Sequence, residues 1–173
     1  MGLGSDAGMM AAMFHIFSHS VCKSMLFLAA GGLADASGNS KQFHDLRGSG
    51  YRSPIAGVAF TIGALSMVGF PFLGGFASKL NLALAALPCS NIRAILTLAA
   101  LAVSTWLNTM YFLRTVVTIY RKPDDGRSFP AEPGHRGFRF NCSLILFSAV
   151  NVALGLFSQS VIDAILTGLR MFA

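Results

Sequence analysis

Charged residues are scarce in this chain, and acidic residues are the scarcest of them. Only 12% of the 173 residues are charged, which is about half the usual share in a soluble globular domain. No Asp or Glu occurs between Asp45 and Asp124. The chain also lacks a basic run interleaved with aromatic residues, the pattern typical of nucleic-acid binding. We therefore expect a membrane protein without a nucleic-acid partner.

Cysteine is almost as rare. Cys22, Cys89 and Cys142 are odd in number and far apart, and they form neither a CxxC pair nor a zinc-ligand spacing. Each lies in or beside an apolar segment, where a free thiol behaves as a small hydrophobic side chain. We therefore expect three buried free thiols.

Long apolar blocks are what the chain has instead. Its residues are 54% hydrophobic with a mean hydropathy of +0.62, and a membrane crossing needs about 20 apolar residues. Five helical blocks are predicted, at about residues 6–33, 54–70, 72–87, 92–120 and 142 to near the C-terminus. The predicted fold is a single all-α membrane domain over residues 1–173. It is a polytopic transmembrane bundle of about five helices, one of them broken from Pro71 and the Gly74-Gly75 pair to Lys79.

Two polar loops separate these blocks, residues 34–52 and 121–139. Three predicted crossings lie between them, so we expect the loops on opposite faces of the membrane. The second loop holds five Lys or Arg and the first holds three, and the positive-inside rule then places residues 121–139 in the cytoplasm. The net charge of +6 is interpreted as anchoring to the lipid bilayer.

One ionisable residue recurs every fourth position in the first block, in the stretch MFHIFSHSVCKSMLFL. Residues four apart lie on one face of a helix, so His15, His19 and Lys23 form a stripe about 12 Å long. A charge at the bilayer centre costs at least about 2.5–3.5 kcal/mol, so such groups usually have a function. Imidazole both donates and accepts protons, and a desolvated lysine can release one. The stripe favours a proton relay.

Other interpretations remain for these histidines. A single membrane histidine is often only a hydrogen-bonded contact between helices. Two His at i and i+4 can also chelate a metal, but no Cys, Asp or Glu in the core of this helix completes a set. We expect no bound metal, haem or other cofactor.

Lys79 is the second buried ionisable group, and it follows Pro71, Gly74 and Gly75. Proline and paired glycines free backbone carbonyls, which a membrane tolerates only inside protein or beside a cavity. Lys79 is therefore predicted to lie on an ion path, with no acidic partner from its neighbouring blocks. The alternative is an interfacial segment whose lysine extends to water.

Three motifs occur in a recognisable order: HIFSHSVCKSMLFLAAG, then DLRG, then GALSMVGFPFLGGFASK. Over residues 7–122 the chain resembles the antiporter-like membrane subunits of respiratory complex I, membrane-bound hydrogenases and multisubunit cation/proton antiporters. That resemblance implies two inverted five-helix repeats, each with a broken helix. It also implies a proton path at the membrane midplane, in which His15, His19 and Lys23 link the half-channels and Lys79 is the broken-helix lysine.

Family members run to several hundred residues, so this chain corresponds to the C-terminal half, without the first repeat. The resemblance implies a multi-pass subunit of the inner (cytoplasmic) membrane that moves protons in a redox-driven complex of the NADH:quinone oxidoreductase or hydrogenase type. Other membrane subunits would supply the missing repeat or an acidic partner, and the chain would perform no chemistry of its own. Two alternatives are a subunit of a sodium or potassium/proton antiporter and a structural module that transports nothing.

Overall fold

The computed structural model describes residues 3–40, 42–122 and 137–171, and this part of the chain is helical without any strand. Three of its helices are long and apolar enough to cross a membrane, namely Asp6–Asp35, Asn91–Tyr120 and Phe138–Leu156. The prediction of an all-α membrane bundle is confirmed. The helices are α1 (Asp6–Asp35), α2 (Ser49–Arg52), α3 (Pro54–Val68), α4 (Gly74–Ala86), α5 (Asn91–Tyr120), α6 (Phe138–Leu156) and α7 (Ser158–Arg170).

Local sequence signals explain where several helices begin and end. The hydroxyl of Ser5 accepts a hydrogen bond from the backbone N–H of Gly8 at 3.1 Å, and this N-terminal cap starts α1. Pro54 opens α3, where its missing N–H costs nothing and its fixed φ suits a helix. Gly69 ends α3 with a φ of 98°, a left-handed conformation that glycine adopts without a steric penalty.

Helix α1 lies at the centre of the bundle and packs against α3, α4, α6 and α7. Its contact with α3 is apolar and includes the fully buried Met25, Ala29 and Leu33. Small residues allow the helices to approach closely: a Cβ added to Gly32 would lie 2.9 Å from Cβ of Ala56. Such small-residue contacts are the usual basis of packing between membrane helices.

The second and third predicted blocks form one interrupted crossing instead of two. Helix α3 has 15 residues and is about 22 Å long, too short for about 30 Å of hydrocarbon. Residues 69–73 then interrupt the helix, and α4 continues to Ala86, which packs beside Leu3 at the start of α1. The predicted break is therefore confirmed, but Gly74 and Gly75 open α4 and do not lie within the interruption.

Because α3 and α4 cross once, the two polar loops lie at the same end of the bundle. The rings of Tyr51 and Tyr120 have centroids 5.4 Å apart, and the Arg114 guanidinium lies 5.9 Å from the ring centroid of Phe43. Phe140, at the start of α6, contacts the same end of α1. The expectation of opposite faces was wrong. Residues 123–136, most of the second loop, lie outside the described residues.

The last predicted block also differs from the structure. It begins at Phe138, before Asn141, and divides at Phe157 into α6 and α7. The prediction for the thiols holds for Cys22, which is buried, and is wrong for Cys142, which is exposed near the start of α6. Cys89 is only partly buried.

Candidate functional site

The stripe on α1 brings two imidazoles together near the level of the helix break. The ring centroids of His15 and His19 are 5.7 Å apart, as the i, i+4 spacing requires. Nδ1 of His15 lies 3.0 Å from the hydroxyl of Ser78 on α4. His15 is half-buried, whereas His19 lies at the edge of the described bundle. The pair therefore connects the bundle interior with its surface.

Lys23 completes the stripe but faces a different neighbour. Its side chain is half-buried, and its amine lies 5.9 Å from the ring centroid of Phe112 on α5. An ammonium over an aromatic face is attracted by the ring, by about 0.5–1 kcal/mol at an exposed site and more when desolvated. Lys23 is thus directed towards Phe112 on α5.

Lys79 has three oxygen partners. Its amine donates hydrogen bonds to the carbonyl oxygens of Met67 (2.8 Å) and Val68 (3.1 Å) and to the hydroxyl of Thr105 (2.9 Å). An ammonium has three donors, so all of them are used. No carboxylate is among these partners, but the negative end of the α3 dipole favours a cation here. The sequence suggested an uncompensated charge, and the structure shows how it is compensated.

The end of α3 explains why two carbonyls are free to bind the amine. The last four carbonyls of a helix have no partner within it. The N–H groups of Gly69 and Phe70 turn back onto the carbonyls of Leu65 and Ser66, in the manner of a Schellman cap. The carbonyls of the last two residues of α3 remain, and Lys79 occupies both.

A cavity of about 100 Å³ lies between α1, α3, α4 and α5. This volume has room for about three water molecules. His15, His19 and Lys79 all line it, whereas Lys23 does not. The rest of its wall includes four hydroxyl groups and one side-chain amide, those of Ser18, Ser66, Ser78, Ser104 and Asn108. Cys22, Met67 and Gly75 complete the wall. Its three ionisable groups and many hydroxyls fit chains of water that carry protons.

A second and wider cavity meets Lys79 from the side of α5. Its volume is about 510 Å³, and its wall is mostly apolar, with Thr105, Trp106 and Thr109 on α5. Lys79 lines both cavities. The lysine amine therefore stands between the polar interior near His15 and a wider opening along α5.

Several residues of the site were missed in the sequence. Ser78 directly precedes Lys79 in the sequence, and this position beside a predicted site residue was a signal that could have identified it. Thr105 and Ser66 lie in apolar helices without any distinctive spacing, and only packing brings them to Lys79 and Gly75. Asn151 on α6 forms a bond between helices, in which its Oδ1 accepts a hydrogen bond from the backbone N–H of Gly74 at 3.3 Å.

The described residues offer a metal ion no ligand set. No group of three His, Cys, Asp or Glu side chains comes together in the part of the chain that the structure describes. The histidine pair therefore has no third ligand of these types within the described bundle. A neutral imidazole both donates and accepts a hydrogen bond, so proton transfer is chemically possible for this pair.

Comparison with known proteins now identifies the family. Residues 1–107 match the family model described as "NADH:quinone oxidoreductase/Mrp antiporter, TM". The chain belongs to this family. NADH-quinone oxidoreductase subunit N of Desulforudis audaxviator is 31% identical over 176 residues, which cover 96% of this chain and 34% of that protein. Subunit N of Geobacter metallireducens is 35% identical over 129 residues, covering 71% of this chain and 26% of the relative.

A third relative covers less of this chain. NADH-ubiquinone oxidoreductase chain 5 of Paracentrotus lividus is 35% identical over 105 residues, or 61% of this chain and 16% of that protein. The chain spans about a third or less of the length of these curated relatives. This member of the NADH:quinone oxidoreductase/Mrp antiporter family therefore carries one part of what its relatives contain.

Proposed function

We propose that this chain forms a C-terminal part of a proton-translocating membrane subunit, in a complex of the NADH:quinone oxidoreductase type. The observation that carries the proposal is the polar cavity that His15, His19 and Lys79 share. A wall of ionisable and hydroxyl groups inside a membrane bundle is costly in free energy, and such groups usually serve a function such as transport. The names of the similar proteins, which are subunits of NADH-quinone and NADH-ubiquinone oxidoreductases, support the same function.

Each residue has a role in this scheme. His19 is exposed at the edge of the described bundle and Lys23 is half-buried. These two residues would receive a proton from the remainder of the subunit. His15 would pass the proton through water and the Ser78 hydroxyl to the neighbourhood of Lys79. Lys79 would hold the proton on its amine, which donates to two backbone carbonyls and the Thr105 hydroxyl, and would release it on the side of α5. Transfer through bridging waters costs little compared with direct hydrogen bonds.

The proposal requires partners. The described membrane helices place no carboxylate beside Lys23 or Lys79, so a charge that drives the lysines between states would come from other chains or from a preceding repeat. Other membrane subunits of the complex are therefore the proposed partners, within the inner (cytoplasmic) membrane. A structural module without transport is disfavoured, because a pure scaffold gains nothing from three ionisable groups around one cavity.

Two substitutions of Lys79 test the proposal in reconstituted vesicles containing the assembled complex. Lys79→Arg retains a cation with several donors but cannot release a proton near neutral pH, so it should stop proton pumping and preserve thermal stability. Lys79→Met leaves the carbonyls of Met67 and Val68 without their hydrogen-bond donor. It should therefore stop pumping and also lower the free energy of unfolding by about 1–3 kcal/mol.

Lys122→Arg is the matched control, because Lys122 is exposed just beyond α5, and it should pump as the wild type does. Pumping and melting temperature should be measured on the same preparations. Wild-type pumping by Lys79→Arg would remove this lysine from the proton path and contradict the proposed function.

A further inference from the structure

The start of α4 is held by two side chains from other helices. Asn151 of α6 accepts a hydrogen bond from the N–H of Gly74 at 3.3 Å, and Ser66 of α3 accepts one from Gly75 at 3.1 Å. The first N–H groups of a helix have no partner within it, and Leu73, which precedes α4, supplies no side-chain cap. We propose that Asn151 is a positioning residue for Lys79, which it holds in place by capping the helix that carries the lysine.

The distance along the helix makes this cap effective. Lys79 follows Gly74 by five residues, or about 7.5 Å and one and a half turns. A slip of α4 by one residue would move the amine by about 1.5 Å and turn it by about 100°. Either change would take it off the carbonyls of Met67 and Val68, which lie at hydrogen-bond distance now.

The same face of α6 also holds the interruption before α4. A Cβ added to Gly155 would lie 2.2 Å from the carbonyl oxygen of Phe72, so the two backbones touch. Phe72 has a φ of 70°. A non-glycine residue in this conformation costs of the order of 1–3 kcal/mol, and it persists only where the surrounding structure enforces it. Asn151 and Gly155 are one helical turn apart, so α6 supports both the strained segment and the helix that follows.

The orientation of the Asn151 amide shows which of its atoms the fold uses. The side chain is 1% exposed. Its Nδ2 has no partner at ordinary hydrogen-bond distance among the described residues, and the side chain interacts more weakly with the Cys22 thiol. A flipped amide would place its NH₂ against the Gly74 N–H, so Oδ1 is the atom at the cap. Burying an unpaired donor costs about 1–3 kcal/mol. The hydrogen bond from the Gly74 N–H to Oδ1 offsets part of this cost, by about 0.5–1.5 kcal/mol.

Chemical labelling of Lys79 measures its position without requiring transport. The assembled complex is treated briefly with acetic anhydride, which acylates free amines, and the Lys79 peptide is quantified by mass spectrometry. Asn151→Leu should raise the acylation rate of Lys79 about fivefold, which is the effect expected from losing one helix cap. Asn151→Asp retains an acceptor for Gly74 and should label at or below the wild-type rate.

Asn81→Leu is the matched control, since the Asn81 amide donates only to Ala77 of its own helix in the described contacts, and it should leave Lys79 labelling unchanged. Ser66→Ala removes the second cap with little change in volume and should raise labelling in the same direction. If Asn151→Leu prevents assembly, Asn151→Ala, which also removes the acceptor for Gly74, decides in its place. Unchanged labelling of Lys79 in whichever of these two variants assembles overturns the inference.

The inference concerns transport only if the proposed function is correct, and the two fail differently. Failure of the proposed function would appear as proton pumping by Lys79→Arg, whatever the labelling shows. Failure of the positioning role would appear as unchanged Lys79 labelling, even where pumping depends on Lys79. If both hold, Asn151→Leu should also reduce pumping, and Asn151→Asp should restore most of it.

Discussion

At the scale of single residues, the site depends on how each ionisable group is hydrogen-bonded. His15 has a fixed partner in Ser78, whereas His19 lies at the exposed edge of the bundle. Both line one cavity with room for about three waters. A missing imidazole leaves further space there, which water can fill.

We therefore expect redundancy between the two histidines. His15→Ala or His19→Ala alone should slow proton pumping by less than about thirtyfold, since a bridging water costs at most about 2 kcal/mol. The double variant should lose more than the product of the two single losses, because no imidazole remains on that wall. Pumping in reconstituted vesicles measures this. A single histidine variant without any pumping would show that the imidazoles form an obligatory chain.

At the scale of helices, the interruption between α3 and α4 is fixed by close backbone contact. A Cβ added to Gly75 would overlap the carbonyl oxygen of Ser66. A backbone oxygen cannot turn aside as a side chain can. The two half-helices can therefore adjoin only with glycine at this position, and their closeness is what lets Lys79 reach the end of α3.

Gly75→Ala should accordingly lower the melting temperature in detergent, with a loss of about 1–3 kcal/mol or more from overpacking. Gly168→Ala in α7 is a suitable control, since a Cβ there meets nothing within 4 Å, and alanine should instead add up to about 1 kcal/mol through helix propensity. A Gly75→Ala variant as stable as the wild type would show that the α3–α4 junction is looser than its geometry indicates.

At the scale of the whole molecule, the single crossing by α3 and α4 determines the charge asymmetry. The polar loops 34–52 and 121–139 together hold eight Lys or Arg, and the described flanks of both lie at one end of the bundle. The opposite end, where α1 begins and α4 meets α5, includes Arg93, which donates to the carbonyl of Leu3 at 3.4 Å. The positive-inside rule then predicts that the end with both loops faces the cytoplasm.

Thiol labelling tests this orientation in a background in which Cys89 and Cys142 are changed to alanine. Gln42→Cys and Lys122→Cys should react with a membrane-impermeant maleimide in inside-out vesicles and not in right-side-out ones. Asn91→Cys, at the opposite end, should show the reverse. Labelling of Gln42→Cys and Lys122→Cys from opposite faces would mean that α3 and α4 cross the membrane separately.

Much of the architecture follows from the sequence alone. The apolar blocks determine helices of membrane length, Ser5 and Pro54 mark where two of them begin, and the 3.6-residue period places His15, His19 and Lys23 on one face of α1. These features depend on neighbours within one or two turns, so the local sequence decides them. The proline and glycines after residue 70 likewise predict a break, because they weaken a helix wherever they occur.

Only the tertiary structure decided how the break is arranged and which residues it brings together. Whether α3 and α4 make one crossing or two depends on where their ends pack, and this reversed the predicted placement of the loops. The partners of Lys79 come from a helix end 11 and 12 residues earlier and from α5, 26 residues later. The cap from Asn151 lies 77 residues beyond Gly74. Contacts over such separations are set by the packing of whole helices, which no local pattern records.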